Sequence, residues 1–418
     1  MVNFCPHCGK KAEKEFKFCP YCGSKLPIEE IVESETSSQN EHNQQPAGGE
    51  KCNKRRSSGS PGAALKRKLN LTPEKEEIKI MESSPKTPKL SDMSPRSKKA
   101  KNVQVQPLPE NSVLTDNSNT EWVLAKLLVQ EKTGLYYEVH TLSGSDQTKY
   151  SVLKLDAKDG KIYNEQNFFQ RAAKKTTVDK WKKLHDCPVL GIPICIGFGV
   201  HNNSYRFLVF SALGKNLQTI MSENDNQLRE IAVYQILFRM IDVLEYVHEN
   251  EYVHGDITAE NIYVNADNCE VYLAGYYNAF RYSPSGNHVA YREGIRTPHD
   301  GTAEFISLDV HKGTGPSRRS DFESLGYCML KWLSGSLPWS DEKNPRSIMD
   351  HKKRFQTNLP GLLKQCFNKR KIPDVLKVYL EKVVNLEYDE KPDYKEFRNH
   401  FSSILQKMNV RPYDPVQL

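Results

Sequence analysis

Between Tyr21 and Trp122 the chain has no Phe, Trp or Tyr at all. Without aromatic mass, residues 22–121 cannot bury enough apolar surface to offset the entropy of ordering them. Long apolar runs are missing as well. None approaches the roughly 18 residues that span a bilayer, and the opening MVNFCPHCGKK has Cys and Lys where a secretory leader carries an apolar core. A membrane protein and a secreted one are both excluded by this reading, and an intracellular protein is expected. A disulfide framework is lacking too. Of the ten cysteines, four form two CxxC pairs and six (Cys52, Cys187, Cys195, Cys269, Cys328, Cys366) stand alone, a pattern that fits a reducing compartment and one metal site.

The folded parts also lack an excess of positive charge. Residues 51–101 hold 15 Lys/Arg against 5 Asp/Glu, while the whole chain nets only +7, so the remainder is mildly acidic. A basic face for gripping nucleic acid is therefore not implied for the rest of the 418 residues.

What is present falls into zones. Residues 1–26 carry an internal echo, FCPHCGKK at 4–11 and FCPYCGSK at 18–25. Cys5, Cys8, Cys19 and Cys22 then offer four thiolates to one zinc ion, each pair followed by a Gly that lets the backbone curl around the metal. So small a unit has almost no core without its ion. A redox dithiol is the weaker reading of paired CxxC motifs. The expectation is a zinc ribbon serving structure and interaction rather than catalysis.

Residues 27–118 read as a disordered, basic, Ser/Pro-rich linker. Lys54-Arg55, a spacer, and Lys66-Arg67-Lys68 match a bipartite nuclear import signal, the alternative being a solvated charge run. Ser60-Pro61, Thr72-Pro73, Ser84-Pro85, Thr87-Pro88 and Ser94-Pro95 are candidate sites for proline-directed kinases.

At Trp122 the composition changes, and residues 119–410 read as one large domain with residues 411–418 as a tail. Strands are expected at 122–129, 134–140 and 150–156, then a helix at 164–175 and a strand pair near 196–200 and 205–210. Beyond residue 217 the pattern turns helical, with apolar residues of 230–250 at three- and four-residue steps. A strand-rich lobe followed by a helical one predicts a two-lobed α+β fold with a cleft between.

The order Lys154 in a strand, Glu165 in the next helix, HGDITAEN at 254–261 and then LAGYY at 273–277 follows the parts of a protein kinase. HG before the Asp, the run EYVHGDI, FQRAAK, GPSRRSD and SLGYCMLKWLSGSLPW resemble the vaccinia-related kinases, a branch of the casein-kinase group. The zinc ribbon, the basic linker and the LAGY segment are most similar to a member of that family regarded as a pseudokinase.

On this resemblance Val129, Gln130, Glu131, Lys132, Thr133 and Gly134 occupy the place of the phosphate-covering glycine loop, and only Gly134 remains of its glycines. Glu131 stands where the second Gly would be. A carboxylate ~4 Å from a phosphate charge costs about 4 kcal/mol at an effective dielectric of ~20, roughly a thousandfold in affinity, less whatever Lys132 offsets. Lys154 and Glu165 are expected to pair as a clamp between helix and sheet. Asp256 matches the acid that takes the substrate's proton and Asn261 one metal ligand, but Thr258 stands in place of the phosphate-contacting Lys. His254 and Asp321 are expected to be structural. The chelating Asp is replaced by Gly275, which has no ligand atom, and Tyr277 replaces a small residue. Asn261 alone is too few ligands for Mg²⁺.

ATP with Mg²⁺ is therefore expected not to bind, and Asp256 is read as a vestigial base. The leading expectation is a catalytically impaired, nuclear regulatory scaffold. Its partners would be proteins, including an import receptor. The resemblance implies support of a dual-specificity phosphatase that opposes MAP kinases. The alternative is a weakly active Ser/Thr kinase using Asp256. Nucleic-acid binding through ribbon and linker is disfavoured, since the linker has no aromatics for base stacking.

Overall fold

The computed structural model describes residues 3–4, 11–12, 105–131, 133–142, 151–224 and 227–418. The chain divides into two units, Met1–Ser94 and Pro95–Leu418. In the first, β1 (Asn3–Phe4) and β2 (Lys11–Ala12) pair antiparallel, bracketing the sequence positions of Cys5 and Cys8. The four ribbon cysteines, the import signal and the Ser-Pro and Thr-Pro sites lie outside the described residues.

The second unit opens on a six-stranded sheet of order β3-β4-β5-β6-β8-β7. Its strands are β3 (Val113–Thr115), β4 (Glu121–Glu131), β5 (Gly134–Thr141), β6 (Ser151–Ala157) and, after two helices, β7 (Cys195–His201) and β8 (Tyr205–Ser211). Every pairing is antiparallel. Alternation places Trp122, Leu124, Tyr137, Val139, Leu153, Leu155, Phe207 and Val209 in one buried cluster on a single face. The strands expected from sequence are all present; β4 is three residues longer, β6 is shifted by one, and the others are longer by one or two.

Two boundaries differ from the composition-based reading. Residues 105–118, assigned there to the linker, belong to the lobe. Leu114 is fully buried, and Asp116 accepts from the Trp122 indole at 2.9 Å and from the amides of Ser118 and Thr120. A short strand needs no aromatic of its own when a neighbour's indole covers it. The helix expected at 164–175 is α1 (Ile162–Arg171), which ends four residues earlier, and a second helix not expected from the sequence, α2 (Lys175–Leu184), follows after a break. Phe169 and Val178 are nine residues apart, half a turn out of phase on a continuous helix. Breaking at 172–174 lets both be buried.

Below the cleft β9 (Lys215–Asn216) leads into α3 (Leu217–Glu223) and then α4 (Glu230–Glu249), which is buried on nearly every face. The short strands β10 (Tyr252–Val253), β11 (Ile262–Val264), β12 (Val271–Leu273) and β13 (Phe280–Arg281) carry the segments facing the sheet. The helices α5 (Leu308–His311), α6 (Arg318–Ser334), α7 (Pro345–Gln356), α8 (Leu359–Phe367), α9 (Asp374–Val384) and α10 (Tyr394–Lys407) complete the lobe. The stretch 411–418 docks back on it. Arg239 donates to Pro412 O at 3.0 Å and Val416 is buried.

Candidate functional site

A frame holds the loop between β10 and β11. Asp321, in the first turn of α6, accepts from the amides of His254 at 2.7 Å and Gly255 at 2.9 Å. His248 joins the same carboxylate at 3.0 Å and meets the Tyr394 hydroxyl at 2.8 Å. Burial holds the His248 ring below its ordinary value even beside that carboxylate. His254 is fully buried, with Nε2 2.9 Å from Ala274 O. Both residues are structural, as expected.

In the upper lobe Lys154 Nζ lies 2.7 Å from Glu165 Oε2, and both are buried. Burial works against the ammonium, but Glu165 and then Tyr136 outweigh it and raise the Lys154 pKa. The other Glu165 oxygen accepts from the Tyr276 amide at 3.1 Å. Tyr276 stacks flat on Phe168 of α1, with centroids 3.8 Å apart. The Lys–Glu pair thus ties β6 to α1, and α1 to the segment after β12.

Gly275 has φ +80°, and a Cβ there would overlap the Asn261 carboxamide. Asn261 thus occupies the space where a chelating side chain would begin, and its Nδ2 donates to Asp256 O at 2.8 Å. Asp256 itself is 2% exposed. Its Oδ1 accepts from the Thr302 amide at 2.8 Å, and its Oδ2 accepts from the Tyr277 hydroxyl at 2.7 Å and from Asn278 Nδ2 at 3.4 Å. Burial and the adjacent Asp256 charge raise the Tyr277 phenol pKa, so it stays a donor.

Tyr277 also lies under Lys154, whose Nζ is 4.9 Å from the ring centroid. Its backbone carbonyl accepts from Asn164 Nδ2 at 3.0 Å, while Lys161 at the start of α1 reaches Asn278 and Asp300, each at 2.7 Å. Sequence reasoning noted the bulk of Tyr277 but missed its hydroxyl bond, and it missed Asn278, Thr302 and Lys161 altogether. The one available signal was a phenol two residues after the lost chelator.

Above the cleft, Glu131 and Gly134 face each other across the end of the β4–β5 ladder. Glu131 is exposed and accepts from Thr133 Oγ1 at 3.1 Å, while Lys132 lies outside the described residues. Below it Glu260 is pushed up by burial and then by the charges of Glu131 and Asp256. Thr258 Oγ1 is buried without a partner among the described residues. Between the lobes a cavity of about 720 Å³ remains, lined by Leu128, Tyr136, Val152, Lys154, Tyr263 and Gly275 among others. Space for a planar base is kept.

The protein kinase domain family matches residues 152–402, starting past the 129–134 stretch, and a zinc-ribbon domain matches residues 4–26. Serine/threonine-protein kinase VRK3 of Bos taurus is 50% identical over 322 residues, covering 75% of this chain and 71% of the relative. The Mus musculus VRK3 is 41% identical over 450 residues, covering 100% of this chain and 99% of the relative. Serine/threonine-protein kinase VRK2 of Homo sapiens is 41% identical over 301 residues, with coverage of 70% and 58%. A solved structure of vaccinia related kinase 3 superposes with a TM-score of 0.72 at 50% identity, over 76% of this chain and 97% of that one.

Proposed function

The chain belongs to the protein-kinase family, in its vaccinia-related branch, and we propose that it has lost phosphotransfer and acts as a regulatory scaffold. The observation that carries this reading is the capping of Asp256. A base must reach a substrate hydroxyl, yet this carboxylate is buried with both oxygens engaged. Gly275 in place of the chelator and Glu131 at the lid support it. If Mg²⁺ entered, Asn261 would be its one neutral side-chain ligand from the usual pair, and Mg²⁺ neutralises the charge that develops on phosphoryl transfer.

The test is thermal shift with millimolar ATP and Mg²⁺, run beside a phosphotransfer assay on a generic basic protein. The expected outcome is no stabilisation and no transfer, since binding at 100 Kd would stabilise by about 2.7 kcal/mol. A clear shift with transfer supports the second reading, a weak Ser/Thr kinase. That reading is favoured by the retained Lys154–Glu165 pair and the open cavity.

The partners under the scaffold reading are proteins. The resemblance points to a dual-specificity phosphatase opposing MAP kinases, and Lys54, Arg55, Lys66, Arg67 and Lys68 to an import receptor and the nucleus. Affinity capture from nuclear extract, comparing the full chain with residues 105–418, tests both. The ribbon's four thiolates fit a structural zinc, since the described strands on either side of its first pair run antiparallel.

A further inference from the structure

Beyond the cleft the segment 299–306 is held by a chain of polar contacts deep in the lower lobe. Lys352 of α7 is 1% exposed. Its Nζ donates to Ala303 O at 2.9 Å and Ile306 O at 2.6 Å, and lies 3.2 Å from His311 Nε2. The rings of Tyr327 and Trp339 cover it at 4.7 and 5.7 Å. On the far side of the His311 ring, Nδ1 is 2.7 Å from Nδ1 of His299. His299 has φ +60°, a left-handed backbone uncommon for residues other than Gly.

Hydrogen-bond directions follow from this geometry. Burial lowers the Lys352 pKa, opposed by Glu323, Glu304 and Cys328. In its charged form the group has three N–H groups and no lone pair, and it faces three acceptors. His311 Nε2 must then accept, its proton sits on Nδ1, and that proton is donated to His299 Nδ1. His299 carries its own proton on Nε2. Each ring is neutral in this arrangement, and each tautomer is set by its neighbour.

We propose that His299, His311 and Lys352 form a proton-sensitive latch that holds segment 299–306 closed while both rings are neutral and releases it when His299 takes a second proton. With a proton on each facing Nδ1, two donors confront each other at 2.7 Å and the contact cannot persist. The charged groups around the pair favour the neutral rings. Burial first, then Arg346 and Lys352 of α7, hold His299 below its ordinary value, and burial with Lys352 and His299 does the same to His311. Glu323 and Cys328 of α6 and Glu304 lie on the Lys352 side. Asp300, next to His299, is occupied by Lys161.

Release has a defined consequence. The same segment supplies the Thr302 amide to Asp256 and the Asp300 carboxylate to Lys161. Opening it removes one cap from Asp256 and frees Asp300 from Lys161. The inference holds whether or not the chain transfers phosphate.

Hydrogen exchange of amides 297–307 in the full chain, expressed as protection factors between pH 7.5 and 4.5, tests it. The expected result is protection that falls on acidification, by up to about tenfold per pH unit, with a midpoint below the ordinary histidine value. In His299→Gln, whose carboxamide accepts from His311 but takes no proton, protection should be independent of pH. Long-range ¹⁵N spectra of the parent at pH 7.5 should show His311 protonated on Nδ1 and His299 on Nε2. Unchanged protection in the parent, an equal fall in the variant, or the opposite tautomers would each overturn the latch.

Discussion

The Tyr277 hydroxyl donates to Asp256 Oδ2 at 2.7 Å. Under the proposed loss of phosphotransfer, two departures from the kinase pattern meet in one contact: the phenol two residues after Gly275 occupies the carboxylate that a substrate would need. Burial and the carboxylate keep the phenol protonated, so the cap persists across the working pH range.

Tyr277→Phe removes the hydroxyl and leaves the ring under Lys154. A hydrogen bond to a charged group contributes about 1.5–3 kcal/mol, and Asp256 retains the Thr302 amide. Urea unfolding should show a loss of about 1–2 kcal/mol. Phosphotransfer should stay absent, because uncapping a base supplies no cation. Activity in this single variant would show that the cap alone silences the site.

Gly275→Asp restores the missing carboxylate on paper. Its φ of +80° is one an L residue rarely adopts, and its Cβ would displace the Asn261 carboxamide and break the 2.8 Å bond to Asp256 O. A cost of about 1–3 kcal/mol is expected, in line with overpacking a filled site. Isothermal titration should detect no Mg²⁺-ATP until Glu131→Gly is combined with it. Tight binding by the single variant would assign the defect to the chelator alone.

Much of this site could be read from the chain. Lys154, Glu165, Asp256 and Asn261 stand in the order of a protein kinase's parts, and the glycine at 275 needs no coordinates to be seen. The caps on Asp256 were not legible, because they depend on where a phenol points and on an amide 46 residues away. The helix α2 was not legible for another reason: Val178 and Trp181 stand among Lys and Thr, and the break before it shows only when the half-turn between Phe169 and Val178 is weighed against the burial of each. Residues 105–118 were misplaced because composition measures what a segment carries, whereas Leu114 is buried by what its neighbours carry.

On the scaffold reading the Lys154–Glu165 pair serves architecture. Either charge left alone at this depth is uncompensated, which costs about 3–5 kcal/mol. Lys154→Met and Glu165→Leu should each destabilise by that amount with no nucleotide present, and the double variant should recover most of it. A double-mutant cycle by urea unfolding measures the coupling. Single variants as stable as the parent would return Lys154 to a ligand-binding role.

Cys5, Cys8, Cys19 and Cys22 should bind one zinc per chain. Mass spectrometry of the purified full chain should find that stoichiometry, and Cys8→Ser should abolish it, since three thiolates hold a structural zinc poorly. Zinc retained in Cys8→Ser would place the ion elsewhere.

His311 should make the domain acid-labile in a way a variant can isolate. Burial, with Lys352 and His299 beside it, lowers the ring from 6.5 to about 3. As pH falls below 6.5 the unfolded chain binds this proton and the folded one does not. The stabilisation is complete above 6.5 and drains away toward 3, by about 1.4 kcal/mol per pH unit. The raw stability curve hides this, because Asp242 works in the opposite direction. Burial pushes its carboxyl up to about 6, so the folded state holds that proton more firmly and gains stability as pH falls from 6 toward 3.8. Subtracting a non-titrating variant cancels distant groups such as Asp242 and leaves His311 with its contacts His299 and Lys352. The stability difference between parent and His311→Asn, from urea unfolding at pH 6, 5 and 4, should therefore shrink by about 1.4 kcal/mol per unit. A difference that stays constant over that range would mean that the ring is charged in the folded protein, which the Lys352 contact at 3.2 Å opposes.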